Sequence, residues 1–306
     1  MNRSLRNIAL AALLAAAPAM AHAKTAAPAP HTGPQLAAAC NGHDGWTDPA
    51  PPAHIFGNTW YVGTCGISAI LITGDDGHVL IDGGMAEAAP LVLANIAALG
   101  FDPADVRWII LSHEHFDHAG ALAALKRATG AKLAALAPAA KVLETGIPDP
   151  SDPQYGMLKG MAPVATDRVL VDGDSLVLGR ITLTVHATPA HSPGSASWTW
   201  QSCTGDFTCL MIAYADSATA ISADAYRFTD HEDRVAQVRE GLSRIARLPC
   251  DILLTPHPSA SGMMERFAGK TALVDSSACR SYAAAAQHRF EARLAREAGD
   301  ANEARP

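Results

Sequence analysis

Short blocks of hydrophobic and polar positions follow one another along the chain from Trp60 onward, and their period alternates between that of strands and that of helices. Apolar runs bounded by Gly and Asp predict strands, as on either side of Gly74-Asp75-Asp76-Gly77, a hairpin signal. Helical spacing that closes on a glycine, as at Gly100, predicts helices. In this half the predicted strands are Ile67–Thr73, His78–Asp82, Arg107–Leu111 and Lys132–Leu136, and the predicted helices are Pro90–Leu99 and His118–Thr129.

The second half repeats this order of strands followed by helices. Gly173 and Gly179 mark turns between short apolar runs. Its predicted strands are Val169–Val171, Ser175–Leu178, Ile181–His186, Ser197–Gln201, Cys209–Tyr214 and Asp251–Leu254, and its predicted helices are His231–Arg247 and Ser276–Glu297. No linker separates the halves. We therefore predict one α/β sandwich domain over residues 24–306, with sheets inside, helices outside and an irregular Ala/Pro-rich arm over residues 24–53.

The first 23 residues have the pattern of a cleaved secretory signal peptide. Arg3 and Arg6 precede the apolar run Ile8–Ala17, and small residues follow that fit an A-x-A cleavage site before Lys24. A membrane anchor is the alternative, but a run of about ten residues is too short for roughly 30 Å of hydrocarbon. The pattern predicts export, to the periplasm, of a protein without a membrane partner.

Charge and cysteine content narrow the function further. The 306 residues contain 23 Lys and Arg against 30 Asp and Glu, so no basic surface indicates a nucleic-acid partner. Six cysteines in an exported chain favour disulfides, since no C-x-x-C pair suggests zinc binding. Cys203 and Cys209 flank a short turn and suit a hairpin disulfide, while the sequence leaves the other pairings open.

The densest chemical signal is Ser112-His113-Glu114-His115-Phe116-Asp117-His118, placed directly between a buried strand and a helix. In extended backbone, residues two apart point the same way, so His113, His115 and Asp117 share a side. His118 begins the helix and turns aside. One segment is therefore able to supply ligands to two neighbouring metal ions.

Two further histidines, His191 and His257, also follow buried strands. A lone histidine at a strand end is more often a simple hydrogen-bonding group, and the remaining histidines are interpreted in this way. Together with the cluster, however, these two complete five imidazoles and one carboxylate, enough for two metals with three protein ligands each. Zinc fits such ligands, and iron or manganese accepts the same donors.

This pattern resembles the signature of the metallo-β-lactamase superfamily. His113-x-His115-x-Asp117-His118, Asp82-Gly83-Gly84 and Ala190-His191-Ser192-Pro193-Gly194 are similar to its motifs, and the similarity runs from about Trp46 to the end of the chain. The resemblance implies a four-layer αββα sandwich with the site along one edge of the sheets. Ala190 and Ser192 depart from the usual Gly and Thr, which puts the loop geometry around the first metal in question.

The segments Tyr214–Ser217 and Leu254–Pro258 resemble the third subclass of class B β-lactamases, and the cysteine pattern is most similar to AIM-type enzymes. The other subclasses carry a cysteine ligand on the strand that here bears Ser217. The resemblance implies disulfides Cys40–Cys65, Cys203–Cys209 and Cys250–Cys279 and a monomeric protein.

The resemblance also implies the activity: a di-zinc hydrolase that opens the amide bond of β-lactam antibiotics by attack of a zinc-bridging hydroxide. His113, His115 and His191 would bind one Zn²⁺, and Asp117, His118 and His257 the other, with Asp117 also orienting the hydroxide. The residues implied to contact substrate are Ser217, Thr219, Gln154, Trp46 and Phe116.

Ordinary turn polarity is the alternative for Ser217 and Thr219, and core packing for Trp46 and Phe116. Two other functions stay open. One is a di-metal hydrolase of a lactone, thioester or phosphoester in the same superfamily, whose members usually have a bridging aspartate on the strand bearing Asp216. The other is a non-catalytic metal-binding protein.

Overall fold

The computed structural model describes residues 31–303, with side chains through residue 299, so the predicted signal peptide lies outside the described residues. Twelve strands and eight α-helices are found in this part of the chain. The strands are β1 Ala53–Phe56, β2 Thr59–Tyr61, β3 Ile70–Ile72, β4 His78–Ile81, β5 Val106–Ile110, β6 Lys132–Leu136, β7 Arg168–Leu170, β8 Ser175–Leu178, β9 Ile181–Ala187, β10 Ala196–Cys203, β11 Cys209–Tyr214 and β12 Ile252–Leu254. The helices are α1 Gly33–Ala39, α2 Ala89–Ala98, α3 Phe116–Ala119, α4 Leu122–Thr129, α5 Ala137–Thr145, α6 Glu232–Ala246, α7 Met263–Phe267 and α8 Ala278–Glu303.

The strands form two sheets. The first has seven strands in the order β1 to β7, antiparallel as far as β4 and parallel from β4 to β7. The second has five strands in the order β12-β11-β10-β9-β8, and only its β11–β12 pair is parallel. Parallel neighbours need a crossover, and helices α2, α4, α5 and α6 lie in those connections.

Three hydrophobic clusters separate four layers. The first lies between the sheets and includes Trp198 and Trp200, both fully buried. On β4, Val79 and Ile81 belong to this cluster while Leu80 faces the opposite way, as the two-residue period of a strand requires. Leu80 packs in a second cluster under α2, α4 and α5, and a third cluster lies under α6 and α8. The result is the αββα sandwich expected from the sequence.

Three disulfides connect Cys40 to Cys65, Cys203 to Cys209 and Cys250 to Cys279, the pairing that the family resemblance implied. The segment predicted to be an irregular arm contains the helix α1. Its end is joined by the first disulfide to the turn that follows β2. Between residues 31 and 303, no helix has the length and apolar content needed to cross a bilayer.

Candidate metal centre

The histidine cluster lies in the turn between β5 and α3, where a buried aspartate holds the backbone. Asp82 follows β4 and accepts hydrogen bonds from Ser112 N, Ser112 Oγ and the Tyr214 hydroxyl, each at 2.7 Å. Its φ of 60° lies in the left-handed region, which is unusual for a residue other than glycine. The Asp82 carboxylate thereby fixes Ser112, the residue directly before His113. Its bond from Tyr214 on β11 also connects this turn of the first sheet to the second sheet.

The first ligand group contains His113, His115 and His191, whose ligand atoms lie within 4.8 Å of one another. In each ring, one nitrogen lies within 2.9 Å of an oxygen atom of the protein. His113 Nδ1 lies 2.8 Å from Asp216 Oδ1, His115 Nε2 lies 2.9 Å from Asp152 Oδ2, and His191 Nδ1 lies 2.9 Å from the carbonyl oxygen of Thr219. The opposite nitrogens are therefore the atoms that converge, and His113 Nε2 is buried without a hydrogen-bond partner.

The second group contains Asp117, His118 and His257. Asp117 Oδ2 lies 3.1 Å from His118 Nε2 and 3.3 Å from His257 Nε2, and these two nitrogens are 3.1 Å apart. A tetrahedral zinc with bonds of about 2.0–2.1 Å separates its ligand atoms by about 3.3 Å. The triangle therefore has the size that a zinc ion requires. Asp117, His118 and His113 also fall within 4.8 Å of one another, so the two groups adjoin at His113.

The electrostatics differ from ligand to ligand. Burial opposes a charge on His115, but its hydrogen bond to Asp152 and the negative charge of nearby carboxylates together outweigh burial and raise the pKa of His115. Burial lowers the pKa of His191 to about 3 and that of His113 well below its ordinary value, so both rings are neutral and able to ligate.

Burial opposes ionisation of Asp117 and His118, yet each is charged because of the other. The pKa of Asp117 is held far below its usual range, and that of His118 is raised to about 10. The Asp117 carboxylate therefore pairs with a cation, which is the His118 proton in the metal-free site and would be the metal once it replaces that proton. The residues present fit a metal cation.

Helix α6 supports the loop that carries His191. Arg234 Nη1 donates to the carbonyl of Pro189 at 2.6 Å, and Arg234 Nη2 to that of Ala190 at 3.1 Å. A Cβ atom on Gly241 would lie 2.7 Å from the nitrogen of Ala190, so only glycine allows the helix to approach this closely.

Glu114 connects the two loops that bear the first ligand group. It accepts hydrogen bonds from the Ser192 hydroxyl at 2.9 Å and from Gly194 N at 3.1 Å. Ser192, one of the two departures from the family motif, thus keeps the hydroxyl that this contact uses. Ala190 has no side chain beyond Cβ and is buried beside α6.

The residues predicted to contact substrate surround these groups in different ways. The ring centroid of Trp46 lies 6.1 Å from that of Phe116 and 5.8 Å from that of His257, which gives an aromatic wall beside the second group. Gln154 Nε2 lies 3.3 Å from His191 Nε2, at the first group. The Thr219 hydroxyl is 2.9 Å from His191 Nδ1 and so helps to orient a ligand, while Ser217 is buried next to Asp216.

Sequence reasoning missed Asp152 and gave Asp216 only as a candidate bridging ligand. Asp216 Oδ1 bonds to the His113 nitrogen that faces away from the metal position, and Asp216 belongs to neither ligand group. Burial raises the pKa of this carboxyl to about 7. Asp152 lies 37 residues from His115 in an irregular loop, and nothing in its local sequence pattern marks it.

The fold and the paired ligand groups define a class of metal-dependent hydrolases built on an αββα sandwich. Residues 62–257 match the sequence profile of the metallo-beta-lactamase superfamily. The chain belongs to this superfamily.

Solved structures that resemble the chain include metallo-β-lactamases. The metallo-β-lactamase MIM-1 from Novosphingobium pentaromativorans is 67% identical, with a TM-score of 0.86, covering 87% of this chain and 99% of that one. MEM-A1, a subclass B3 metallo-β-lactamase from a soil metagenome library, is 41% identical with a TM-score of 0.80, covering 84% and 100%.

Curated relatives match over shorter regions. The hydroxyacylglutathione hydrolase of Anaeromyxobacter dehalogenans is 36% identical over 132 residues, which are 43% of this chain and 41% of that protein. The chain spans less than half the length of the curated relatives that it matches.

Proposed function

We propose that this protein is an exported di-zinc hydrolase that opens the amide bond of β-lactam antibiotics. The observation that carries the proposal is the pair of adjoining ligand groups, each with three convergent nitrogen or oxygen atoms. The 67% identity to MIM-1 over 87% of the chain supports β-lactams as the substrate class. The three disulfides support export to an oxidising compartment, for which we propose the periplasm.

His113, His115 and His191 would hold one zinc, and Asp117 with His118 and His257 would hold the other. Bound zinc would polarise the lactam carbonyl and lower the pKa of water to about 7, which supplies the nucleophile at neutral pH. The neutral imidazoles of His113 and His191 are the form that binds metal. Because Asp117 stays ionised, its carboxylate would hold the second zinc and would orient the attacking water by accepting a hydrogen bond from it.

Substrate would be held by residues around the ligand groups. Trp46 and Phe116 form the apolar wall against which the bicyclic ring system would pack. Ser217 would donate a hydrogen bond to the substrate carboxylate. Gln154 would contact the lactam side of the substrate, since its amide nitrogen lies 3.3 Å from His191 Nε2. The hydroxyl of Thr219 is shared with His191, so we propose for it mainly the orientation of that ring.

The test is hydrolysis of nitrocefin and a carbapenem by purified protein, measured with zinc, after EDTA treatment, and after zinc is restored. We expect turnover that EDTA abolishes and zinc recovers. Fully zinc-loaded protein without turnover of either compound would refute the proposal and favour a non-catalytic metal-binding protein.

A thioester hydrolase is the second candidate, because part of the chain is similar to hydroxyacylglutathione hydrolases. The position of Asp216 argues against it, since that carboxylate faces His113 Nδ1 and does not lie in either ligand group. Assaying an S-acylglutathione in parallel separates the two candidates. A higher kcat/KM for the thioester than for every β-lactam would reverse our preference.

A further inference from the structure

Two loops without regular secondary structure contact the imidazoles of the first ligand group. The Gln154 loop (residues 147–161) reaches His115 through Asp152, whose Oδ2 lies 2.9 Å from Nε2, with both side chains almost fully buried. The Thr219 loop (residues 218–226) reaches His191, whose Nδ1 lies 2.9 Å from both the Thr219 carbonyl oxygen and its hydroxyl. Through Asp152 and Thr219, each loop therefore contacts a ring nitrogen that faces away from the metal position.

The two loops are also joined to each other. Ala223 N donates to the carbonyl of Pro153 at 2.8 Å, which links the Thr219 loop to the Gln154 loop. Within the Gln154 loop, Asp152 Oδ1 accepts a hydrogen bond from Gln154 N at 2.7 Å. The Asp152 carboxylate thus contacts the metal ligand His115 through Oδ2. Through Oδ1 it stabilises the turn that places Gln154 next to the first group.

An imidazole that binds metal through one nitrogen must carry its proton on the other. Metal on the converging nitrogens of His115 and His191 therefore makes both rings hydrogen-bond donors toward Asp152 and Thr219. Without the metal, no ligand bond confines the ring proton to the nitrogen that faces the loop, so each ring also samples the tautomer that does not donate to its loop partner. The hydrogen bonds from the loops in turn fix the rings in the orientation that binds metal.

From this arrangement we infer that the first metal and the two loops order one another, with Asp152 as the positioning residue that couples them. Coupling between two binding events is reciprocal. A ligand that orders the loops therefore also raises the affinity of the first ligand group for its metal. The inference rests on the metal centre of the proposed function, but it does not depend on the identity of the substrate.

Hydrogen–deuterium exchange of the full-length protein, with zinc and after its removal, tests the coupling without any variant. We expect peptides from both loops to exchange several-fold faster in the metal-free protein, while peptides from the middle of α8 stay unchanged. Equal exchange of the loops in both states would overturn the inference.

The variant Asp152→Asn tests the role of the carboxylate. Its amide has a single acceptor oxygen, so it is unable to accept from both His115 and Gln154 N. We expect the affinity of the first ligand group for zinc, measured by competition with a chromophoric chelator, to fall by about 10–100-fold. We also expect zinc to lose most of its protective effect on the Gln154 loop, and the absorption spectrum of cobalt at this site to change.

Asp149→Asn is the matched control. Asp149 lies in the same loop and accepts hydrogen bonds from Lys141 Nζ at 2.8 Å and Ser151 N at 2.9 Å, but neither partner is a metal ligand. We expect its zinc affinity and zinc-dependent protection to match the unaltered protein. An equal loss of affinity in both variants, or no loss in Asp152→Asn, would overturn the role assigned to Asp152. A protein whose zinc protects both loops but which hydrolyses no β-lactam would refute only the proposed function.

Discussion

At the scale of single residues, the metal centre depends on side chains that are far apart in sequence. Asp82 accepts from Tyr214, which lies 132 residues later, and His113 contacts Asp216 across 103 residues. Buried carboxylates are costly unless their oxygens accept hydrogen bonds. Asp82 meets this condition with three donors. These contacts explain how a short turn holds its histidines in one arrangement.

The assignment of His257 to the second group leads to the first prediction at this scale. His257→Ala removes one of three converging atoms and leaves the first group untouched, so zinc content should fall from two toward one per chain. Metal analysis after dialysis at fixed free zinc measures this. His288→Ala, which removes an exposed histidine on α8, should retain two zinc ions. Two tightly bound zinc ions in His257→Ala would show that the ligand set is wrong.

The residue types at the site could be predicted because the ligands are dense and regularly spaced between His113 and His118. Their supporting partners could not. Asp152 and the Thr219 hydroxyl act through contacts that exist only after loops distant in sequence come together. An aspartate in a Pro-rich loop has the same local pattern whether it faces solvent or an imidazole.

At the scale of elements, helix α6 is the support for the His191 loop. Its burial pattern follows from its apolar stripe, and Gly241 lies on that stripe among buried residues. Alanine is normally preferred over glycine inside a helix by about 1 kcal/mol. Here the approach of Pro189 and Ala190 reverses that preference, since a Cβ atom would meet their backbone at 2.7–2.9 Å.

We therefore expect Gly241→Ala to destabilise the protein by about 1–3 kcal/mol, as overpacking does, and to weaken zinc at the first group by displacing His191. Urea unfolding and chelator competition measure the two effects. Gly299→Ala in α8 is the control, because a Cβ atom there meets nothing within 4 Å. This control should be neutral or stabilising by up to about 1 kcal/mol. An equally stable Gly241→Ala variant would show that the loop adapts freely.

Most elements could be predicted from periodicity, with ends displaced by up to three residues, as for Ile67–Thr73 against the observed β3 and His231–Arg247 against α6. Two helices differ more: α8 continues six residues beyond the predicted end at Glu297, and the predicted helix His118–Thr129 is divided into α3 and α4. The missed elements have physical reasons. α1, α7, β1 and β2 are too short to show a period. α5 begins directly after β6 with no turn residue between them, so its apolar positions continue those of the strand.

At the scale of the whole molecule, the ligands come from both sheets. His113 follows β5 of the first sheet, whereas His191 and His257 follow β9 and β12 of the second. The complete site therefore forms only when the two sheets are docked on their shared core.

Disulfides also act at the scale of the whole molecule, because they restrict the unfolded chain as a whole. The chain-entropy argument predicts an order for two of the disulfides. Cys250–Cys279 closes a separation of 29 residues and Cys203–Cys209 one of six. Replacing each pair by alanine should cost about 3.6 and about 2.2 kcal/mol, respectively. Urea unfolding of the two double variants without reductant measures the difference. A larger loss for the hairpin pair would indicate that native contacts, rather than the unfolded state, determine the effect.

The Cys40–Cys65 bond has a practical consequence for preparing the protein. The segment after Cys40 carries Trp46, whose carbonyl accepts a hydrogen bond from Thr64 next to the same disulfide. The first ligand group, in contrast, lies on segments that no cysteine anchors directly. Material made in a reducing cytosol would thus retain zinc at the first group while the aromatic side of its pocket is loose. Bound zinc alone is not a criterion of correctly matured protein, and a thiol titration belongs beside it.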